Sequence, residues 1–313
     1  MINILRSDNK RGIALAILAA VCYSISSPLS KLILGYLTPT LMAGFLYLGA
    51  GLCMLIIFLI KLIFKKRVKK EISLTKRDIP YVVGMILLDI AAPILMMYGL
   101  DKTTAANASL LNNFEIVITS LVALLLFKEK ISKRLWLGIG AITLSCIILS
   151  FESIEAFEFS IGSLFILLAA ICWGFENNCT RKISSSDPLE IVLIKGLCSG
   201  TGSIIIGFCI GERIDVSNIW SIFASLGIGV VAYGLSIFFY IYAQRFIGAA
   251  KTSAYYAISP FVAVIFSLLI FLEVPAWQYW LALVFMILGA WLSASDKPIF
   301  KRKNKEKKEE ENC

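Results

Sequence analysis

The stretch GIALAILAAVCYSISSPLSKLI (residues 12–33) returns 150 residues later as GSLFILLAAICWGFENNCTRKI (residues 162–183), with no gap between the two registers. Gly12 meets Gly162, Leu18-Ala19-Ala20 meets Leu168-Ala169-Ala170, Cys22 meets Cys172, Tyr23 meets Trp173 and Lys31 meets Arg181. A second correspondence runs at an offset of 144. There Tyr98 meets Tyr242, Ala105-Ala106 meets Ala249-Ala250, Ser109 meets Ser253, Phe127 meets Phe271, Glu129 meets Glu273 and Trp136 meets Trp280. Apolar helices resemble one another by chance, but polar and aromatic landmarks do not recur by chance at constant offsets in the same order. The chain is built from two copies of one unit.

Composition says what the unit is made of. Of 313 residues, 58% are hydrophobic and only 16% charged, and the mean hydropathy is +0.83. Soluble domains sit nearer half apolar and a quarter charged. Apolar runs of about 20 residues recur along the chain, long enough to cross roughly 30 Å of hydrocarbon as helices. Barrel strands are shorter and alternate, so the fold class read here is all-α and integral to the membrane. The runs fall at about 12–33, 39–63, 78–100, 103–127, 134–150, 160–181, 188–211, 218–243, 249–272 and 276–295, ten transmembrane helices in all. The first run is too long for the apolar core of a signal peptide.

Ten spans divide into a first five-helix repeat at 12–150 and a second at 160–296, between a short N-terminal segment (1–11) and a tail from 297 expected to be disordered. Because five is odd, the copies enter the membrane from opposite sides. Such inverted repeats place a binding site near the bilayer midplane with two pseudo-equivalent gates, which is transporter architecture. Orientation follows from basic residues in short loops. Segment 61–77 carries Lys61, Lys65, Lys66, Arg67, Lys69, Lys70, Lys76 and Arg77, and segment 128–134 carries Lys128, Lys130, Lys133 and Arg134. The alternate loops hold only Lys31, Lys102 and Arg213, so both termini are expected in the cytoplasm of a multi-pass cell-membrane protein.

The landmarks AAVCYSISSPLSK and AAICWGFENNCTRK, with FKE and FLE closing the fourth and ninth runs, resemble EamA-type members of the drug/metabolite transporter superfamily. The resemblance covers residues 12–295. It implies a substrate cavity between the first four helices of each half, with the fifth and tenth peripheral, and amino acids, other metabolites or drugs as cargo. It also implies export. The family often carries proline midway along both the fourth and ninth spans. Here the ninth keeps Ser259-Pro260, but the aligned positions in the fourth are Glu115-Ile116, a carboxylate where many relatives bend.

Ionisable groups inside a membrane cost about 2.5–3.5 kcal/mol on insertion scales and face protein or water. Asp89, Glu115, Glu176 and Lys195 are four such groups. Ser109, Asn112, Glu115 and Thr119 follow a three–three–four spacing, one polar stripe on a helix, expected to face an aqueous cavity shared with the opposite repeat. Substrate contact is therefore assigned to Glu115, Asn112, Asp89, Tyr23, Trp173, Asn177, Tyr256 and Ser259. Asp89 reads equally as the anchor of a kink at Pro93, and Asn113 as interhelical glue. Glu176 and Lys195 are assigned to an ion pair between the sixth and seventh spans or to an inner gate. Tyr255 joins the aromatic set; Trp136, Trp220, Trp277 and Trp280 fit an interfacial belt, and Gly44, Gly49 and Gly51 fit close helix packing.

The chain has no histidine and no CxxC pair, so no metal and no cofactor are expected. Without a GxxxxGK[ST] loop, the driving force is an ion gradient, with protons the candidate ion, or the solute gradient itself. The partners expected are a small-molecule substrate and the lipid bilayer, with no nucleic acid; a homodimer is compatible with the sequence. The reading from another class is a membrane-embedded enzyme acting on lipid, with Asp89 and Glu115 as acid and base.

Overall fold

The computed structural model describes residues 2–63, 74–127, 132–153, 158–183, 186–247, 252, 255–272 and 275–293. The basic run Lys65–Lys70, the Lys128–Lys130 loop and the tail from residue 297 lie outside these residues. Seven helical runs are long and apolar enough to cross a membrane: Lys10–Ile33, Pro39–Ile63, Lys76–Lys102, Ala105–Leu126, Ile161–Ile183, Pro188–Cys209 and Trp220–Ala243. Ser259–Phe271 and Trp277–Ser293 are shorter apolar helices, and Lys133–Leu149 is a further helix of 17 residues. Apart from one short antiparallel pair, Phe151–Ser153 with Glu158–Phe159, the described residues are helix and connecting turn.

The Ala105–Leu126 run is not one continuous helix, and this corrects the polar-stripe reading. Its first piece, Ala105–Leu111, ends at Asn112-Asn113, and a second begins at Phe114. Across the break the backbone bonds shorten to three-residue spacing: Asn113 N–H donates to Leu110 O at 3.1 Å and Glu115 N–H to Asn112 O at 3.1 Å. Asparagine favours such a break because its side chain competes locally for backbone groups. The chain also turns at Ala257-Ile258, just before the Ser259–Phe271 helix with Pro260 in its first turn. The 144-residue offset maps the two breaks onto each other to within one residue. Glu115 therefore does not replace the bend; two asparagines make it in one half and Ser-Pro follows it in the other.

The Pro39–Ile63 helix is the central strut, and its glycines explain how closely others approach it. A Cβ on Gly49 would lie 2.2 Å from the Leu226 carbonyl oxygen, one on Gly51 2.6 Å from the Leu197 nitrogen, and one on Gly44 2.5 Å from Ile204 Cγ1. From the other side, a Cβ on Gly196 would meet Gly51 N at 2.3 Å and one on Gly229 would meet Leu46 O at 2.0 Å. At these contacts both partner helices widen into π-helical turns, Lys195–Ser199 and Gly229–Leu235. Such turns re-aim side chains and often accompany functional sites. Gly49→Ala is expected to cost about 1–3 kcal/mol through overpacking, read as a lower melting temperature in detergent. Gly84→Ala, whose Cβ would meet only Cys179 Sγ at 3.3 Å, should be close to neutral.

The Lys133–Leu149 and Trp277–Ser293 helices pack against each other. A Cβ on Gly138 would lie 3.0 Å from Gly289 O, Ser145 Oγ donates to Ala282 O at 2.7 Å, and the Arg134 guanidinium lies 4.5 Å over the Trp291 ring. Their outer faces carry exposed Leu137, Val284 and Trp291, an apolar surface suited to lipid.

Candidate functional site

Polar groups in the interior gather in two connected layers. The first is ionic. Lys195 Nζ lies 2.9 Å from Glu176 Oε1 and 3.2 Å from Asp89 Oδ2. Asp89 is fully buried, Glu176 is 2% exposed and Lys195 7%. The expected pair between Glu176 and Lys195 is thus one edge of a triad, and Asp89 sits inside it. Pro93 contributes, because its missing N–H is the one that would have bonded the Asp89 carbonyl. The Tyr47 hydroxyl donates to Asp89 Oδ1 at 2.9 Å, and Trp173 Nε1–H donates to Tyr47 at 3.3 Å. The Thr180 hydroxyl, one turn beyond, bonds Glu176. Two carboxylates share one ammonium.

The second layer centres on Glu115, which is only partly buried. Asn177 Nδ2 donates to Glu115 Oε1 and lies 3.3 Å from Thr119 Oγ1, while Asn178 Nδ2 donates to Thr119 O at 3.2 Å. Glu115 therefore leans on an amide rather than on a cation. A Cβ on Gly174 would lie 2.4 Å from Ile118 Cγ2, so the missing side chain lets the two helices approach closely. Ser109 contributes nothing here; its hydroxyl bonds Ala105 O in its own helix.

Tyr23 joins the layers. Asn112 Nδ2 donates to its hydroxyl at 3.4 Å. Its ring lies 5.8 Å from that of Tyr233 and 5.9 Å from that of Tyr256, while Tyr233 is 5.1 Å from Tyr47 and Tyr240 is 4.9 Å from Tyr256. Tyr256 precedes one helix break and Asn112 forms the other, so both breaks converge on one ring. Asn112 Oδ1, Asn113 Nδ2 and Ser259 Oγ are buried with no hydrogen-bond partner among the described residues, where such groups are normally satisfied.

Seven of the ten residues picked from the sequence are linked in this way, Asn112, Asp89, Tyr23, Trp173, Tyr256, Glu176 and Lys195, while Glu115 and Asn177 bond each other and adjoin them along the chain. Ser259 lies three residues from Tyr256 with its hydroxyl unpaired, and Tyr255 is exposed instead. Tyr47 and Tyr233 were missed. The signal for Tyr47 was a lone hydroxyl between Gly44 and Gly49; Tyr233 is aimed by a π-helical turn, which leaves no mark in the spacing. A cleft of about 620 Å³ opens elsewhere, lined by Lys31, Lys102, Asn107, Ser267 and Tyr279 among others. None of the ten lines it, and the tyrosine–carboxylate cluster is the better candidate because it gathers the interior ionisable groups and both helix breaks.

Residues 10–151 and 160–295 each match the EamA-like transporter family. An uncharacterized transporter of Methanothermobacter thermautotrophicus is 25% identical over 290 residues, 88% of this chain and 84% of that protein. The uncharacterized transporter YyaM of Bacillus subtilis is 26% identical over 279 residues, 85% and 88% of the two chains. The uncharacterized inner membrane transporter YedA of Escherichia coli is 25% identical over 272 residues, 85% and 84%. A solved crystal structure superposes with a TM-score of 0.63 at 15% identity, covering 90% of this chain and 96% of that one, which speaks to the fold alone.

Proposed function

The chain belongs to the EamA-like transporter family and is a membrane transporter, and we propose that it moves small organic metabolites across the cytoplasmic membrane by alternating access. In this reading the chain is a ten-span permease of two inverted five-helix repeats, 12–150 and 160–296, with both termini cytoplasmic. Its cargo is an amino acid, a related compound or a drug, and its direction is outward. The observation that carries the reading is the convergence of both helix breaks on Tyr23 beside Glu115. Broken helices at pseudo-equivalent positions supply backbone and side-chain polarity where a solute has to be held midway across a membrane.

The enzymatic alternative, Asp89 and Glu115 acting on lipid, fits less well. Asp89 is held by Lys195 and Tyr47, whereas a general acid or base needs open reach to its substrate. Counterflow of a panel of amino acids, amines and drugs in proteoliposomes tests the proposal. Stimulated uptake of at least one class is expected; lipid turnover by the purified protein with no counterflow would replace the reading with the enzymatic one.

Topology gives a separate test. A cysteine placed at Lys69 should react with an impermeant maleimide only from the cytoplasm, and one at Ser153 only from outside. Labelling of Ser153→Cys from the cytoplasm would overturn the orientation and the inverted repeat together.

A further inference from the structure

The residues that end the Pro188–Cys209 run send the chain back across the molecule. Gly211 takes φ +88°, the left-handed conformation that glycine adopts without strain. Gly211 N–H donates to Phe208 O at 3.1 Å and Glu212 N–H to Gly207 O at 2.9 Å. This pair of bonds is the Schellman ending of a helix. It aims the Glu212 side chain at the start of the Pro39–Ile63 helix, which lies in the other half of the chain.

There Glu212 takes the place of that helix's own cap. The first N–H groups of a helix have no partner within it and carry partial positive charge. Glu212 Oε2 accepts from Leu41 N–H at 2.9 Å and from the Thr38 hydroxyl at 2.7 Å, and Oε1 accepts from Thr40 N–H at 3.3 Å and the Tyr98 hydroxyl at 3.1 Å. One carboxylate in the second half thus ties down two helices of the first. Space for it is reserved: a Cβ on Gly207 would meet Leu41 Cδ2 at 2.9 Å and Glu212 Oε2 at 3.3 Å.

The opposite end of the molecule is fastened differently. Leu74 N–H donates to Glu190 Oε2 at 3.2 Å, while Asp187 caps its own helix through Leu189 N–H at 2.9 Å. The repeat offsets of 150 and 144 carry Glu212 back to residues 62 and 68, within a segment rich in lysine rather than glutamate. Among the described residues, four hydrogen bonds to one carboxylate join the halves at the Thr38 end, against the single Leu74–Glu190 bond at the opposite end.

We propose that Glu212 is a gating residue, the latch that closes the solute path at the Thr38 end, and that it must release Thr38, Thr40, Leu41 and Tyr98 for that end to open. The proposal rests on the transporter reading. Charge-assisted bonds to a helix N-terminus are strong enough to bias a two-state element, and a loop carboxylate can leave them for water without breaking a helix. Burial pushes the Glu212 carboxyl up, but the Thr38 and Thr40 hydroxyls and the two backbone N–H groups outweigh it and hold it below the usual range. The sign follows: the latch is at full strength above the ordinary glutamate value of roughly 4.3 and weakens only as pH falls toward the depressed one. Arg213 follows it in the chain, and Tyr98 is the ionisable group facing it from the packed helices.

The test uses the full chain in oriented vesicles, with a cysteine in place of Ala43, a buried residue one turn beyond Thr40, and the exposed Cys198 and Cys209 replaced by serine. An impermeant maleimide is applied from each side at pH 7. Glu212→Gln should raise labelling from the Thr38 side about tenfold, the shift expected when a charge-assisted clasp is lost. Glu212→Asp should restore slow labelling, and Thr38→Val and Tyr98→Phe should give smaller increases. A merely structural cap would instead raise labelling from both sides with a lower melting temperature, and that result overturns the proposal, as does unchanged labelling in a folded Glu212→Gln variant. Should Glu212→Gln not fold, flat labelling in Thr38→Val and Tyr98→Phe overturns it equally. Failure of the transporter reading shows separately, as no counterflow in the unmodified protein.

Discussion

Lys195→Met is expected to cost about 3–5 kcal/mol and most of the folded yield, because it strands two buried carboxylates at once. Neither neighbouring change should approach that loss. With Glu176→Gln the ammonium keeps Asp89 at 3.2 Å, and with Asp89→Asn it keeps Glu176 at 2.9 Å. Each of these variants leaves the ammonium paired with one remaining carboxyl group. The triple change Lys195→Met, Glu176→Gln, Asp89→Asn should recover much of the loss, since it removes charge from low dielectric rather than unbalancing it. The measurement is the monodisperse fraction after detergent extraction, with the melting temperature of what survives. Losses that simply add would show that the three groups do not act as a unit.

The same triad marks how far the sequence could be read. Depth along each helix separates Asp89 from Glu176 and Lys195, because depth counts rise per residue and ignores the length of a lysine side chain. Lys195 spans that gap, and the widened turn at Lys195–Ser199 sets its direction without any spacing that a sequence pattern reveals. The asparagine pair was visible as an anomaly, but its consequence was not. Side-chain polarity at Asn112-Asn113 suggested a face, whereas the backbone used it to end a helix. Repeats were legible because landmarks such as Cys22 and Cys172 keep a fixed offset. Glu212 was not, since its role depends on a left-handed Gly211 that turns a loop residue onto a distant helix.

Glu115→Gln is expected to abolish pH-driven accumulation while leaving substrate exchange largely intact. The geometry gives the reason. Glu115 is a partly buried acidic group, held by the Asn177 amide and not paired with Lys195, whose ammonium lies against Glu176 and Asp89. An acid in that position gains or loses a proton without breaking an ion pair, and Asn177 can keep a hydrogen bond to it in either state. A single proton coupled to each solute would support about tenfold accumulation for each unit of pH difference, since one unit is worth about 1.36 kcal/mol. The Gln variant should collapse that ratio to one, and Glu115→Asp should keep part of it. If Glu115 instead binds a cationic solute directly beside Tyr23 and Tyr256, where aromatic faces favour positive charge, exchange should fall together with accumulation. Normal expression with unchanged pH-driven transport in Glu115→Gln would sink both versions. The Asn177 contact would then be what holds the Phe114–Phe127 helix against Ile161–Ile183, and nothing more.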